Sequence, residues 1–343
     1  MDLKSVRDAD IAGKKVLVRV DFNEPIVDGV INDDTRIKAA IPTIQLLKQR
    51  GAVHITLMSH LGRPDGKVVE GLRTAPLMRR LSELTDTAGV EMLENVRFNP
   101  GEETNDPQFA AELAGYGEIF VNDAFADAHR AHASIVGVAK LLPAYAGLLV
   151  EREVEKISAA LNPVKPAMAM VGGAKFETKI PLLTKLLEIY DRVLLGGALA
   201  NDILHARGVD IKESLLSKMP PPQAMVDDAR IQVPTDFVWE GEKIVDIGPQ
   251  TGAEWARVIA EQHFILWNGP MGMYEFGKTA GTDKLAEALV SNKILAVIGG
   301  GDTAAALEKI SFDSEKVFVS TGGGAMLQFL ADGTLPGLEP LKK

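Results

Sequence analysis

The chain has 343 residues, 46% hydrophobic and 24% charged, with a formal net charge of −10 and no cysteine. That length suits two α/β domains, each able to bury its own core, and the acidic balance argues against nucleic-acid or membrane partners. Lack of cysteine excludes disulfides and thiolate metal sites and suits a reducing cytoplasm, no apolar run reaches the roughly 20 residues of a membrane span, and the start MDLKSVRDADIAGKK has no secretory apolar region.

Taken in chain order, short β-branched runs recur, each closed by Gly, Asn, Asp or Ser. In the first half they are KKVLVRVDF (14–22), AVHITLMSH (52–60) and EIFVNDAF (118–125). In the second half they are AMAMVGG (167–173), RVLLGGA (192–198), HFILWNG (263–269), ILAVIGGG (294–301) and KVFVSTGGG (316–324). Continuous apolar runs, rather than alternating ones, predict strands buried on both faces and hence parallel sheets. Helical periodicity is visible in DTRIKAAIPTIQLLKQR, TKIPLLTKLLEIY and TDKLAEALVSN. LLVEREVEKISAALN (148–162) reads as one long helix, followed by NPVKP, after which the strand–helix rhythm restarts. The pattern predicts α/β architecture: two Rossmann-like, doubly wound parallel-sheet domains joined by a helix. The domains are expected at 1–147 and 163–330, with 148–162 as the linking helix and 331–343 returning to the first domain.

In such sheets ligands bind beyond the carboxyl ends of the strands. The first half offers RVDFN (19–23), DDTRI (33–37), SHLGRP (59–64), ENVRF (94–98) and DAFADAHRAHAS (123–134). These bring Asp21, Asn23, Arg36, His60, Arg63, Arg97, Arg130 and His132 to loops near strand ends. Arginine presents a planar fork that pairs bidentately with carboxylate and phosphate. One arginine alone is more often a solvated residue or a structural ion pair. Four flanked by turn residues point to a socket for a small polyanion.

The second half carries GGAKFETK (172–179), GGALAND (196–202), NGPMGMYE (268–275), GGGDT (299–303) and STGGGA (320–325). Glycines at strand-to-helix turns let backbone N–H groups approach phosphate oxygens. Lys175 and Lys179, four apart on one helical face, favour a nucleotide site, and Asp302 is a candidate ligand for the Mg²⁺ of a nucleotide. GMYEFGKT (272–279) matches the P-loop pattern, which would make Lys278 the phosphate lysine of an NTPase. That pattern needs the loop to leave a strand directly and Lys-Thr to open a helix. Here Asn268–Met271 intervene after the strand, and Ala280 and Gly281 precede an expected helix start at Thr282 or Asp283. The P-loop reading is rejected. No dinucleotide fingerprint, nucleophile elbow or metalloenzyme spacing is present.

As a set, RVDFN, SHLGRP, ENVRF, VNDAF with AHRAHAS, GGAK, WNGPMG, GGGDT and STGGGA resemble phosphoglycerate kinases in order and approximate spacing, over nearly the whole chain. The resemblance implies reversible, Mg²⁺-dependent transfer of a phosphoryl group between ATP and the carboxylate of 3-phosphoglycerate, in a cytoplasmic monomer. It implies phosphoglycerate binding by Asp21, Asn23, Arg36, His60, Arg63, Arg97 and Arg130, with His132 supporting. It implies nucleotide binding by Gly173, Lys175, Lys179, Gly197, Asn268, Glu275 (for the ribose), Gly299, Gly300, Gly301, Asp302 and Thr303, with Asp302 holding the metal. Arg36, Lys175 and the helix start at Gly322, Gly323 and Gly324 would serve the transferring group. Closure about the linking helix and the segment near Thr321 is implied as well.

The chain departs from the family pattern in being shortened between SHLGRP and ENVRF, where one strand–helix segment is expected to be missing, and before DIGPQT (246–251). Ala126 and Asp127 replace a small Gly-Thr-like pair, and Phe176 stands where a small aliphatic is usual. These deletions leave one alternative, a catalytically silent nucleotide- or anion-binding protein on the same fold.

Overall fold

The computed structural model describes residues 1–27 and 30–343. Two compact units emerge, Met1–Glu155 with Asp332–Lys343, and Lys156–Ala331, the division falling inside the helix Leu148–Leu161.

In the first unit, strands Val90–Met92, His54–Met58, Lys15–Val20, Ile119–Asp123 and Ala144–Ala146 lie side by side in that order, all parallel. Val16 sits opposite both Ile55 and Ile119. Val16, Leu17, Val18 and Val20 are fully buried because helices cover both faces of a parallel sheet. The helix Thr35–Gln49 lays Ile37, Ala40, Ile44 and Leu47 on this sheet, and Ala75–Leu84 adds Leu77 and Leu81. Strand order reverses at Lys15–Val20, so a crevice opens between its carboxyl end and that of Ile119–Asp123. The C-terminal segment belongs to this unit: Lys4 N–H donates to Leu341 O at 2.7 Å and Gly337 N–H to Ala128 O at 2.8 Å.

In the second unit the order is Ile231–Gln232, Arg192–Leu195, Ala167–Val171, Phe264–Asn268, Leu295–Gly299 and Val317–Val319, again parallel. Here the order reverses between Ala167–Val171 and Phe264–Asn268, and the glycine turns follow those two strands. Trp267, Met168, Met170 and Ile265 fill the core beneath them. Both sheets are the doubly wound arrangement that the apolar runs predict. Apolar patterning does not mark the short strands Val90–Met92, Ala144–Ala146 and Ile231–Gln232 or the hairpins Ile26–Val27/Val30–Ile31 and Phe237–Glu240/Lys243–Ile247. These are short or half-exposed, and carry little periodic signal.

Phe176, the aromatic that departs from the family pattern, is fully buried beneath the helix Phe176–Ile189. It is core, and lines neither cleft of this unit.

Candidate active site

The first constellation surrounds the crevice of the first unit. Arg19 points off the central strand and is 1% exposed. Its Nη2 lies 3.1 Å from both Asp127 Oδ2 and His60 Nδ1, and its Nε donates to Ser134 Oγ at 2.9 Å. Burial alone would raise the Asp127 carboxyl, but the charges of His60 and Arg19 outweigh it and hold the group well below the usual carboxylate range. Arg36 opens the helix Thr35–Gln49 and donates to Asp21 Oδ2. Burial works against its charge, and Asp21 and Glu24 more than offset that.

Asp21, His60 and Asp127 place ligand atoms within 4.8 Å of one another, a carboxylate–histidine cluster that sequence spacing did not suggest. Arg36 engages Asp21, and Arg19 engages both His60 and Asp127, so the cluster is a charge-balanced network rather than a cation site.

Asn23 and Arg97 meet through the SHLGRP loop. Asn23 Oδ1 accepts from Gly62 N–H at 2.9 Å, and Gly62 O accepts from Arg97 Nη1 at 2.8 Å. Arg97 sits in a 3₁₀ turn, Val96–Phe98, pinned by Asn95. Asn95 Oδ1 accepts from Arg97 N–H at 3.1 Å, while its Nδ2 donates to Leu61 O at 2.8 Å and Leu72 O at 2.9 Å. Asn95 therefore ties the turn that carries Arg97 directly to the loop. Asn95→Ala is expected to lower stability by about 1–3 kcal/mol, read by urea denaturation, since two buried carbonyls lose their donor.

Arg97 Nη2 and Arg130 Nε are buried with no hydrogen-bond partner. Arg97 Nε forms an ion pair with the half-exposed Glu103 at 3.1 Å, and Arg130 Nε lies 3.7 Å from Asp127. His132 Nδ1 is 3.6 Å from the buried Glu102, whose Oε1 accepts from Ser134 Oγ at 2.6 Å. That links His132 to the Arg19 network. Arg63 is exposed in the loop beyond Leu61.

Sequence reasoning missed Arg19, Glu24, Glu102 and Asp127 as members of this cluster. One signal was available for Arg19: an arginine inside a continuous apolar strand must be paired to be buried.

The second constellation lies on the glycine turns of the second unit. Backbones approach so closely that a Cβ on Gly172 would fall 1.9 Å from Pro270 O, and one on Gly323 would lie 3.1 Å from Gly300 Cα. The first approach excludes any side chain, and the second would require the neighbouring backbone to shift. One cleft is lined by Gly173, Lys179, Asn268, Gly300, Gly301, Asp302, Thr303, Gly323 and Gly324. Lys179 Nζ donates to Asn268 Oδ1 at 3.2 Å, and Thr303 Oγ1 accepts from Gly269 N–H at 2.7 Å. Burial pulls the Lys179 ammonium below its ordinary value, against the opposing charge of Asp302. Asp302 Oδ1 accepts from Tyr274 OH at 3.0 Å.

An adjoining cleft is lined by Gly197, Leu215, Phe237, Val245, Met271 and Glu275, and shares Gly173 and Asp302 with the first. Its largely apolar wall suits a planar base beside a polar phosphate cleft. Lys175 is exposed just before the helix Phe176–Ile189, in the left-handed region with φ 65°. Gly299 lies behind the cleft, its carbonyl accepting from Asn268 Nδ2 and Thr303 Oγ1, both at 2.8 Å. Gly322 precedes the helix Gly323–Asp332, its N–H donating to Ser320 Oγ at 3.1 Å.

Lys278 pairs with Glu240 at 3.2 Å and lines neither cleft. The helix after it begins at Ala280, not at Thr282 or Asp283, so Lys-Thr does stand at a helix start. A 3₁₀ turn, Tyr274–Phe276, still separates it from the strand, and no phosphate-wrapping loop forms. Among the described residues no helix is long and apolar enough to cross a membrane.

The family model for phosphoglycerate kinase matches residues 6–92 and 85–333. The chain is similar to the phosphoglycerate kinases of Roseiflexus castenholzii, 41% identical over 393 positions with 99% of each chain covered, and Rubrobacter xylanophilus, 42% identical over 387 positions with 99% and 98% covered. Among solved structures it resembles phosphoglycerate kinase from Coxiella burnetii, with TM-score 0.87, 36% identity and 99% and 98% coverage. The enzyme from Pyrococcus horikoshii gives TM-score 0.83 and 30% identity, with 99% and 98% covered. An alignment of 393 positions exceeds the 343 residues here, so these relatives carry segments that this chain lacks. The family match itself breaks around 85–92, within the shortened stretch between SHLGRP and ENVRF. Nothing in the comparisons supports a catalytically silent protein. Matched from end to end by glycolytic phosphotransferases that act on a carboxyl group, the chain belongs to the phosphoglycerate kinase family.

Proposed function

We propose that the guanidinium cluster of the first unit holds 3-phosphoglycerate and the paired glycine turns of the second hold ATP or ADP. The observation that carries the first assignment is the pair of buried donors without a hydrogen bond, Arg97 Nη2 and Arg130 Nε, the second only in a 3.7 Å ion pair with Asp127. An unpaired buried donor costs about 1–3 kcal/mol, and a bound anion removes that cost. Asp21, Asn23, His60, Arg63 and His132 orient the arginines and the ligand.

A carboxylate oxygen of the substrate attacks the γ-phosphorus, and the bond from phosphorus to the β–γ bridging oxygen breaks to release ADP. The nucleophile is already ionised at neutral pH, so no general base is required. What the protein must supply is alignment and neutralisation of charge on the transferring group. Arg36, Lys175 and the helix start at Gly322–Gly324 have these roles. Asp302 fits Mg²⁺, which takes one or two carboxylates together with nucleotide phosphates, for its carboxylate lies at the mouth of the phosphate cleft. Bound there, the ion would neutralise phosphate charge. Glu275 is assigned to the ribose. We read the enzyme as a cytoplasmic monomer, as the family resemblance implies.

Steady-state turnover of 3-phosphoglycerate with MgATP tests the assignment. Arg36→Ala is expected to lower kcat by about 10²–10³, and chelation of Mg²⁺ to abolish turnover until the metal is restored. Wild-type turnover by Arg36→Ala would overturn the role given to that arginine.

A further inference from the structure

Glu24 belongs to none of the sequence motifs, yet it is 3% exposed and faces the arginine placed at the reaction centre. Its Oε1 accepts the backbone N–H of Arg36 at 2.8 Å, and its Oε2 lies 3.9 Å from Arg36 Nε. The helix Thr35–Gln49 receives no side-chain bond from its own N-cap residue, Asp34. Asp34 is taken instead by Lys38 at 2.7 Å and Arg80 at 2.6 Å. Glu24 therefore caps the first turn from outside the helix, a task that an N-cap side chain ordinarily performs.

The charges around it do not balance once a ligand arrives. Arg36 already donates to Asp21, and Asp33 adds a further acid. Glu24 pairs with Arg36, and that guanidinium is shared with Asp21 and, on this reading, with the docking anion, whereas Arg19, Arg97 and Arg130 face Asp127, Glu103 and the ligand rather than Glu24. Burial pushes the Glu24 carboxyl up to about 7; the Arg36 N–H bond and charge oppose that, while Asp33 and Asp21 add to it. A further negative charge on Arg36 favours the neutral acid more strongly still. A protonated Glu24 keeps one acceptor oxygen for the helix cap, so the anchor survives the loss of charge.

Resting on the reading of Arg36 as a ligand to the substrate anion, we infer that Glu24 is a positioning residue that anchors the helix start bearing Arg36 and takes up a proton from water as that anion docks. Only the protonated fraction is then competent to bind, and the apparent affinity falls with that fraction.

Calorimetric titration with 3-phosphoglycerate at pH 8, in two buffers of different ionisation enthalpy, tests this. A phosphate monoester with its second ionisation near pH 6 is already a dianion there, so the ligand supplies no proton change. Wild type is expected to take up more than about half a proton per ligand bound, and Glu24→Gln none. The ligand's own ionisation acts equally on both proteins, so the ratio of the wild-type KM to that of Glu24→Gln should rise up to about tenfold from pH 6 to pH 8. Equal uptake by the two proteins overturns the inference, because the proton then goes to His60, His129 or His132 in the same cluster, and no uptake by wild type overturns it whether or not Glu24→Gln folds. Arg36→Ala separates the two levels. If it binds 3-phosphoglycerate as wild type does, the site assignment itself falls. If it binds weakly while Glu24→Gln keeps the wild-type pH response, only the role of Glu24 falls.

Discussion

Lys175→Ala is expected to lower turnover by about 10²–10³, the loss of about 3–4 kcal/mol of transition-state stabilisation, while the second unit stays folded. The side chain is exposed, so its removal opens no cavity. The helix that begins at Phe176 is held independently of it. Phe176 N–H donates to Ser217 Oγ at 2.7 Å, and Ser217 Oγ donates to Asp202 Oδ2 at 2.7 Å. Circular dichroism and the thermal midpoint should therefore match wild type while kcat collapses. Lys278→Ala is the control. Its pairing with Glu240 is between partly exposed side chains and worth about 0–1 kcal/mol. Turnover close to wild type is expected. The reverse pattern, with Lys278 essential and Lys175 dispensable, would place the nucleotide in the loop that matches the P-loop letters.

Asp127→Asn should destabilise the fold by about 3–5 kcal/mol at neutral pH, more than Asn95→Ala, because it leaves Arg19 buried without its counter-charge. Arg19 is 1% exposed and Asp127 is 4% exposed, so solvent screens neither. The sign of the pH dependence follows from the direction of the shift. His60 and Arg19, overcoming burial, depress the folded-state carboxyl, so its contribution is present above the unfolded value near 3.9 and is lost as pH falls through the folded one. Urea denaturation should show a gap between wild type and Asp127→Asn that is constant from pH 7 to about pH 5 and narrows below about pH 4. A gap that widened in acid would mean that Asp127 does not carry the charge assigned to it. The Asp127 network holds Arg19 and His60 together.

Much of the architecture was legible because burial on both faces of a parallel sheet writes continuous apolar runs, as in AMAMV and FILWN, and each run stops where the backbone turns toward solvent. Strand ends are also where ligands bind in such sheets, so Asp21, His60, Asn268 and Asp302 could be named from position alone. The glycine turns were legible for a related reason. Gly172 stands where another backbone passes too closely for any side chain.

Composition, apolar runs and motifs were thus enough for the class of fold, the family, and the residues at strand ends. How those residues are held and charged was settled by tertiary contacts. Arg19 and Asp127 are 108 positions apart, and no local pattern says that they pair. Arg97 keeps its place in a shortened segment because Asn95 reaches the carbonyls of Leu61 and Leu72. Glu24 caps a helix from outside it. The helix after Lys278 starts at Ala280, two or three residues before its expected position, since propensity does not fix where a first turn closes. The physical reason is the same throughout. Periodicity records which face of an element is buried, whereas ion pairing and hydrogen bonding in a low-dielectric interior depend on distances that folding alone creates.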